Sequence, residues 1–321
     1  MGEWKAPPIL KAEFKLGMIS CDLDAKAVQK LVMTNKELQD HGYPMHGTLA
    51  LQNIQELALD TTDGEELKAC ERCGEKFRLG AIADSQECNY HPIRPRQRLV
   101  EGAKERFYPC CNKTINLPGC TLWHHVFKEE SIAKLHESCQ FTTLPPVESN
   151  SFKQELIALD CEMVYTTVGF ELGRITVVDY SGALLFDTLC KPENPVIDYN
   201  TRFSGITDFD SEPTMSLGQV KDALAKLADQ STIIIGHGLE NDLLVLRVFM
   251  FNRQLIHENV IDTVQVYPHP QGLPFRNSLA RLMQQELKRT IQADASGHDS
   301  LQDAKSCIEL LVHYLARPSK R

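Results

Sequence analysis

Ala158-Leu159-Asp160-Cys161-Glu162-Met163-Val164 is the stretch whose reading decides the fold of this chain. Apolar residues run into it from Leu156, the pattern of a buried strand. Side chains alternate across a strand, so Asp160 and Glu162 share one face and Cys161 points to the other. Two carboxylates side by side repel and resist burial unless cations sit between them. Oxygen ligands at that spacing suit a hard divalent ion such as Mg2+ or Mn2+. A lone D-x-E is also what the solvated end of a strand looks like, so the decision rests on two acidic segments downstream.

The first, Ile233-Ile234-Ile235-Gly236-His237-Gly238-Leu239-Glu240-Asn241-Asp242, is a β-branched run, a glycine turn and the start of an amphipathic helix. Asp242 is thereby expected in the first turn of a helix leaving a strand end. The second, Gly297-His298-Asp299-Ser300-Leu301-Gln302-Asp303-Ala304, is a glycine-bearing loop entering a helix with apolar positions at Ala304, Cys307, Ile308, Leu310 and Leu311. At these residues the chain resembles the DEDD-type 3′→5′ exonucleases of the DEDDh branch. Asp160 and Glu162 match the first motif, Asp242 the second, and His298 with Asp303 the third.

Hydrolysis of a phosphodiester needs an activated water and relief of charge on the leaving oxygen, which two Mg2+ (or Mn2+) ions supply together. Asp160 is expected to bridge the two ions. Glu162 and Asp303 complete the one that activates water, and Asp242 supports the other. His298 is expected as the general base. His237 is expected to make a structural hydrogen bond, and Asp262 to cap the turn after it. By the same resemblance Met163 and Arg202 contact the terminal nucleotide, with Ser204, Gly205 and Ile206 shaping its pocket.

The rest of the nuclease segment reads as a ribonuclease H-like α/β fold, a mixed five-stranded sheet with flanking helices, over residues 155–316. Strands are expected at about 155–164, 172–180, 183–189, 232–235 and 260–263, with a Ser181-Gly182 hairpin turn between the second and third. Helices are expected at 217–228, after Gly238, and at about 276–289 and 299–315.

Before this domain the composition changes sharply. Cys70-x2-Cys73, Cys88-x2-His91, Cys110-Cys111, Cys120 and a histidine at 124 or 125 provide six thiols and two imidazoles. That is enough for two tetrahedral, structural Zn2+ sites, which would replace the core that so short a segment lacks. The segment, 61–140, resembles CHORD-type zinc modules through Cys88-Asn89-Tyr90-His91-Pro92, Cys110-Cys111 and Pro118-Gly119-Cys120. Its first pair is tighter than in that pattern, and no histidine stands shortly before the vicinal pair. His125 followed by Val126 matches the ending seen in exonucleases with a similar module, which favours His125 over His124. The two vicinal cysteines are expected to serve different zincs, since adjacent residues rarely point at one metal.

Residues 1–60 read as a helical lead-in packing on the larger domain. Ser20 is expected to cap a helix over Asp24–Val32, Thr34-Asn35-Lys36-Glu37 forms a capping box, and 49–59 forms another short helix or turn. Residues 141–154 read as a linker and 317–321 as a disordered tail.

Composition limits the function classes. The chain has 321 residues, 42% of them apolar, enough for one large or two modest cores. No run of eighteen apolar residues occurs, so no membrane-spanning helix is expected, and the start lacks the apolar stretch of a signal peptide. Eleven cysteines in a chain of that kind point to metal binding rather than disulfides. The formal charge of −9 is unusual for a nucleic-acid enzyme. Part of it belongs to the expected metal site. Arg94, Arg96, Arg98, Lys104 and Arg106, interrupted by Glu101 and Glu105, form the densest basic cluster before the nuclease, either a solvated face or a phosphate-tracking strip.

Taken together the chain resembles Rex-type RNA exonucleases of the metazoan RNA exonuclease 1 and GOR-antigen group. The resemblance implies trimming of single-stranded RNA from a free 3′ end to nucleoside 5′-monophosphates, in the nucleus, with the cytoplasm as the alternative. Two competing readings are a DNA 3′–5′ exonuclease and a non-catalytic adaptor whose zinc module docks a protein partner.

Overall fold

The computed structural model describes residues 10–13, 20–45, 61–62, 65–84, 87–129, 131, 134–135, 140–147, 153–248, 259–292 and 297–317. The helix or turn expected at 49–59 and the tail beyond 317 lie outside these residues.

The nuclease segment is organised on strand β1 (Leu156–Thr166), which pairs antiparallel with β2 (Gly169–Asp179). β2 pairs antiparallel with β3 (Leu184–Cys190) across the Ser181-Gly182 turn. On the other side of β1 lie β4 (Ile233–Gly236) and β5 (Val260–Asp262), both parallel to their neighbours. The order β3-β2-β1-β4-β5 is the expected five-stranded mixed sheet. Two pieces extend it to seven strands: Val196–Asp198 pairs with the end of β1, and Thr214–Met215 with β3. They run to three and two residues, too short for a period-2 pattern to show in the sequence.

Both faces of the sheet are buried, which is why β1 and β4 carry nearly continuous apolar runs. Leu159 and Cys161 on one face pack with Val220 and Leu224 of α1 (Leu217–Leu227) and with Leu239 and Leu243. Leu156 and Ala158 on the other face pack with Ala304, Cys307, Ile308 and Leu311 of the C-terminal helix. The alternation carries Asp160 and Glu162 onto this second face, just beyond Ala158.

The lead-in docks on the same core. Its capping box is present, with Thr34 Oγ1 accepting from Glu37 N and a Glu37 carboxylate oxygen accepting from Thr34 N. The helix before it differs from expectation. It spans Ala25–Gln29 and is capped by Asp24, because Ser20 is taken up in a strand, Ser20–Leu23. Met33, Leu38 and Tyr43 are buried against the nuclease, and Tyr43 donates to Asp262 Oδ2 at 2.6 Å. Residues 140–147 are also docked. Thr142 N donates to Arg247 O, and Pro145 O accepts from Gln230 N. The helix expected over 276–289 is a shorter α-helix, Leu279–Leu282, widening into a π-turn at Met283–Leu287.

Candidate active site and Cys/His centres

Asp242 lies in the first turn of α2 (Glu240–Leu246), which leaves the end of β4 after the Gly236-His237-Gly238 turn. Its Oδ1 accepts from Cys161 N at 2.8 Å, which aims the carboxylate at the β1 acids. Asp303 lies in the first turn of α3 (Ser300–Leu315), a helix capped by Asp299 through Leu301 N and Gln302 N. The fold therefore brings four carboxylates, from one strand and two helix N-termini, to one end of the sheet.

Their environment is costly for anions. Glu162, Asp242 and Asp303 are buried and Asp160 is partly open. Burial, then the charges of Asp242, Glu162 and Asp303, push the Asp160 carboxyl well above the usual carboxylate range. Burial, then Asp303 and Asp242, raise Glu162 to about 8, while Arg174 opposes the rise. Burial raises Asp242 to about 7 and Asp303 to about 6. Buried Glu162 Oε1 and Asp303 Oδ1 have no hydrogen-bond partner among the described residues. An all-oxygen set with mutual repulsion and unpaired buried oxygens fits hard divalent cations, which would satisfy both at once. Asp160, Glu162, Asp242 and Asp303 are the residues placed to hold them.

His298 joins this group from the loop before α3. Its Nδ1 lies 3.7 Å from Asp303 Oδ2, and its N donates to Phe203 O at 2.7 Å. Burial lowers its pKa, so the imidazole is neutral near pH 7. Gly297, at φ +111°, lets the loop lie directly on Gly205: a Cβ there would fall 2.4 Å from Gly205 Cα.

Beside His298 opens a cavity of about 410 Å3, walled by Ser204, Gly205, Ile206, Arg174 and Gln302 among others. Ser204, Gly205 and Ile206 are thus where the sequence placed a pocket wall. Ser204 Oγ is already committed, donating to Tyr199 O and accepting from Ile206 N. Met163 is half-buried, and its carbonyl accepts from Asn200 Nδ2 at 3.5 Å. Arg202 is exposed and donates through Nη1 to Pro92 O.

Three neighbours were missed in the sequence. Gln292 donates to Asp303 Oδ2 at 2.6 Å. Phe203, 46% exposed, stands edge-on to the His298 ring at 6.0 Å. Arg174 faces Glu162 across the β1–β2 ladder and forks onto both oxygens of Asp187 at 2.8 and 2.6 Å. Only the strand register could have pointed to Arg174; Gln292 carries no motif, and Phe203 lies in the family-like stretch between Arg202 and Ser204 but was not singled out. His237 Nδ1 meets Thr263 Oγ1 at 2.7 Å. Asp262 accepts from Gly238 N, Leu239 N and Val264 N, holding the α2 turn to β5.

In the Cys/His segment, short strands and turns gather two sets of ligand atoms, each set within 4.8 Å: Cys70, Cys73, Cys88 with His125, and His91, Cys110, Cys111 with Cys120. Each is a four-ligand set suited to zinc. His125 is the histidine in its set, stacked on Phe77 with ring centroids 4.9 Å apart. The division of the vicinal pair between two metals is overturned. Cys110 Sγ and Cys111 Sγ lie 3.6 and 3.5 Å from the same His91 Nδ1. The reason is the tight turn at Tyr108, whose carbonyl accepts from both Cys111 N and Asn112 N, with Asn112 at φ +61°; the curl swings adjacent side chains to one side. One thiol of each set is held toward the thiolate that zinc binds. Burial opposes this at Cys70, yet backbone N–H donors bring it to about 6; at Cys110 burial is again outweighed, by His91 first, giving about 7.

A ribonuclease H-like sheet with a buried carboxylate quartet and a histidine at its strand ends is the framework of a divalent-ion-dependent nuclease domain. The exonuclease family RNase_T matches residues 157–311. The chain is 34% identical over 328 residues to "RNA exonuclease 3" of Eremothecium gossypii, covering 99% of this chain and 77% of that protein. It is 33% identical to human "RNA exonuclease 1 homolog" over 91% of this chain and 35% identical to human "Putative exonuclease GOR" over 89%. It spans only 24% and 42% of those two human proteins. The chain belongs to the RNase_T exonuclease family, in the branch that contains these RNA exonucleases.

Proposed function

We propose that the chain is a divalent-ion-dependent 3′→5′ exoribonuclease that removes nucleoside 5′-monophosphates from the free 3′ end of single-stranded RNA. The observation that carries this reading is the convergence of Asp160, Glu162, Asp242 and Asp303, with unpaired buried oxygens, beside His298 and an open cavity. Family membership supports the reaction class, and the printed names of the relatives support RNA.

The two ions that the four carboxylates fit supply charge neutralisation at the scissile phosphate and promote ionisation of water. The remaining work falls to the protein's own groups. His298, neutral and held by its backbone N–H on Phe203 O, accepts the proton of the attacking water. Asp303, 3.7 Å away, stabilises the imidazolium that forms. The terminal nucleotide occupies the cavity walled by Ser204, Gly205 and Ile206, whose volume of about 410 Å3 is in the range of small-ligand clefts. Phe203 offers an exposed ring for base stacking at its rim. In the Cys/His segment, each four-ligand set holds one structural Zn2+.

The test is cleavage of matched 5′-labelled RNA and DNA single strands, with and without added Mg2+. The expected result is a ladder shortening from the 3′ end, Mg2+-dependent, faster on RNA, with 5′-monophosphates released. Faster cleavage of the DNA strand would replace RNA as substrate. No cleavage with Mg2+ or Mn2+ would leave the adaptor reading in its place.

A further inference from the structure

Among the contacts that the Cys/His module makes with the nuclease, two lie one step from its ligand sets. Arg72 sits between the ligands Cys70 and Cys73, and its N donates to Cys70 Sγ. Its guanidinium leaves the module, lies over the rings of Tyr90 and Tyr165 at 4.9 and 5.4 Å, and donates through Nη1 to Asp198 Oδ2 at 2.8 Å. The side chains of this pair are only 13% and 17% exposed, so water screens it weakly. The second contact is the Arg202 hydrogen bond to the carbonyl of Pro92, the residue after the ligand His91.

Both contacts grip one short segment. Asp198 Oδ1, the oxygen not engaged by Arg72, accepts from Asn200 N at 2.6 Å. Asn200 takes a left-handed conformation, φ +55°, which an unsupported asparagine adopts only at some strain. It begins the one-turn helix Thr201–Ser204, which carries Arg202 and Phe203 and ends at Gly205. The His298 loop rests on that helix: His298 N donates to Phe203 O, and Gly297 abuts Gly205 too closely for a side chain. A continuous path of polar and packing contacts thus runs from the two ligand sets to the histidine.

We infer that the Cys/His module is a positioning element for His298. Through Arg72 and through the Pro92 carbonyl, it fixes the Asp198–Gly205 segment that seats the histidine loop, and so governs turnover rather than RNA affinity. Arg72 and Asp198 are the positioning residues. This rests on the reading of His298 as general base, and it is distinct from any role of the module as an RNA-binding surface.

The test compares the full chain with its Arg72→Ala and Asp198→Asn variants, alone and in a His298→Ala background, on a short single-stranded RNA. With His298 present, each variant is expected to lower kcat by about 10- to 100-fold while KM stays within about twofold, the signature of misplacement rather than lost binding. In the His298→Ala background the same substitutions should cause no further loss, because the path ends at that residue. Arg72→Lys, which keeps the charge but not the stacked plane, should recover part of kcat. Hydrogen exchange gives a readout free of activity: the amides of Ser204, Gly205 and His298 should exchange faster in both variants, with zinc content unchanged. Should Arg72→Ala shed metal, Asp198→Asn, which lies outside the module, decides the matter. A rise in KM with kcat intact, losses that multiply with that of His298→Ala, or unaltered exchange at the three amides would each overturn the inference. Asp303→Ala in the same assay tests the nuclease reading separately. Cleavage surviving there refutes that reading, whereas its loss leaves Arg72 to be judged on its own result.

Discussion

In the Cys/His module eight ligands are gathered by two- to five-residue strands and turns around a handful of buried apolar groups, Phe77, Ile82 and Phe127 chief among them. In the nuclease, four carboxylates project from a sheet packed on both faces by two large apolar clusters. The first arrangement has little apolar core, so its hold rests on the zinc that its two ligand sets would bind. The second holds its acids in place against their own repulsion, so that there the fold pays for the site. Soft thiolates and imidazoles select zinc in one region, and hard carboxylate oxygens select Mg2+ or Mn2+ in the other. Removing metal should therefore unfold the one and only silence the other.

The largest effect expected is on the nuclease side. Asp160→Ala or Asp303→Ala removes an ion-holding group whose contribution is several kcal/mol, so cleavage should fall by at least about 10³-fold. The circular dichroism and unfolding temperature of the purified variants should match or exceed those of the unsubstituted chain, since a repelling buried charge has gone. Near-normal nuclease activity in either variant would remove these carboxylates from the chemistry.

Next is the general base. His298→Ala should lower turnover by about 10²- to 10⁴-fold while Mg2+ binding persists, and raising the pH should recover part of the deficit as more water is ionised. An unchanged pH–rate profile would make the histidine structural.

Cys110→Ser addresses the other side of the comparison. It should leave one zinc per chain by elemental analysis, because the set of His91, Cys110, Cys111 and Cys120 fails while that of Cys70, Cys73, Cys88 and His125 stays. Limited proteolysis should then cut between residues 91 and 120, where metal binding supplies the folding free energy. Retention of both zincs would contradict the grouping of the vicinal cysteines.

The smallest effect concerns pH. With the Mg2+ site free of ions, Glu162, Asp242 and Asp303 titrate at about 8, 7 and 6, above the ordinary value near 4 that the unfolded chain shows. Between about pH 4 and pH 8 the folded state binds more protons than the unfolded state, so stability falls as pH rises through that window. Bound Mg2+ offsets the repulsion, so its stabilising effect should be larger at pH 8 than at pH 6. Thermal unfolding of protein dialysed free of Mg2+ checks this; a chelator such as EDTA would strip zinc as well. An Mg2+-induced shift no larger at pH 8 than at pH 6 would contradict the sign.

What was legible in the sequence follows the range of the interactions. The strand face shared by Asp160 and Glu162, the helix-start position of Asp242 and Asp303 and the capping box at Thr34 are written in periodicity within ten residues. The vicinal cysteines were misassigned because a turn at Tyr108, not the usual divergence of neighbours, sets where they point. The cap of the first lead-in helix was misplaced because Ser20 pairs in a strand whose partner, Leu10–Glu13, has no distinctive pattern. Gln292 and Arg72 were invisible for a third reason. Their partners lie 11 and 126 residues away, and a single glutamine or arginine in a loop announces nothing about what the fold will set beside it.

The most direct test of the division between the regions is metal analysis and cleavage measured on one sample of the chain dialysed without Mg2+. The account predicts about two zinc per chain, no cleavage of single-stranded RNA, and full 3′→5′ cleavage on adding Mg2+ with the zinc content unchanged. Cleavage that proceeds without Mg2+ and tracks the zinc content, or a chain holding no zinc that is nonetheless folded through residues 65–129, would contradict it.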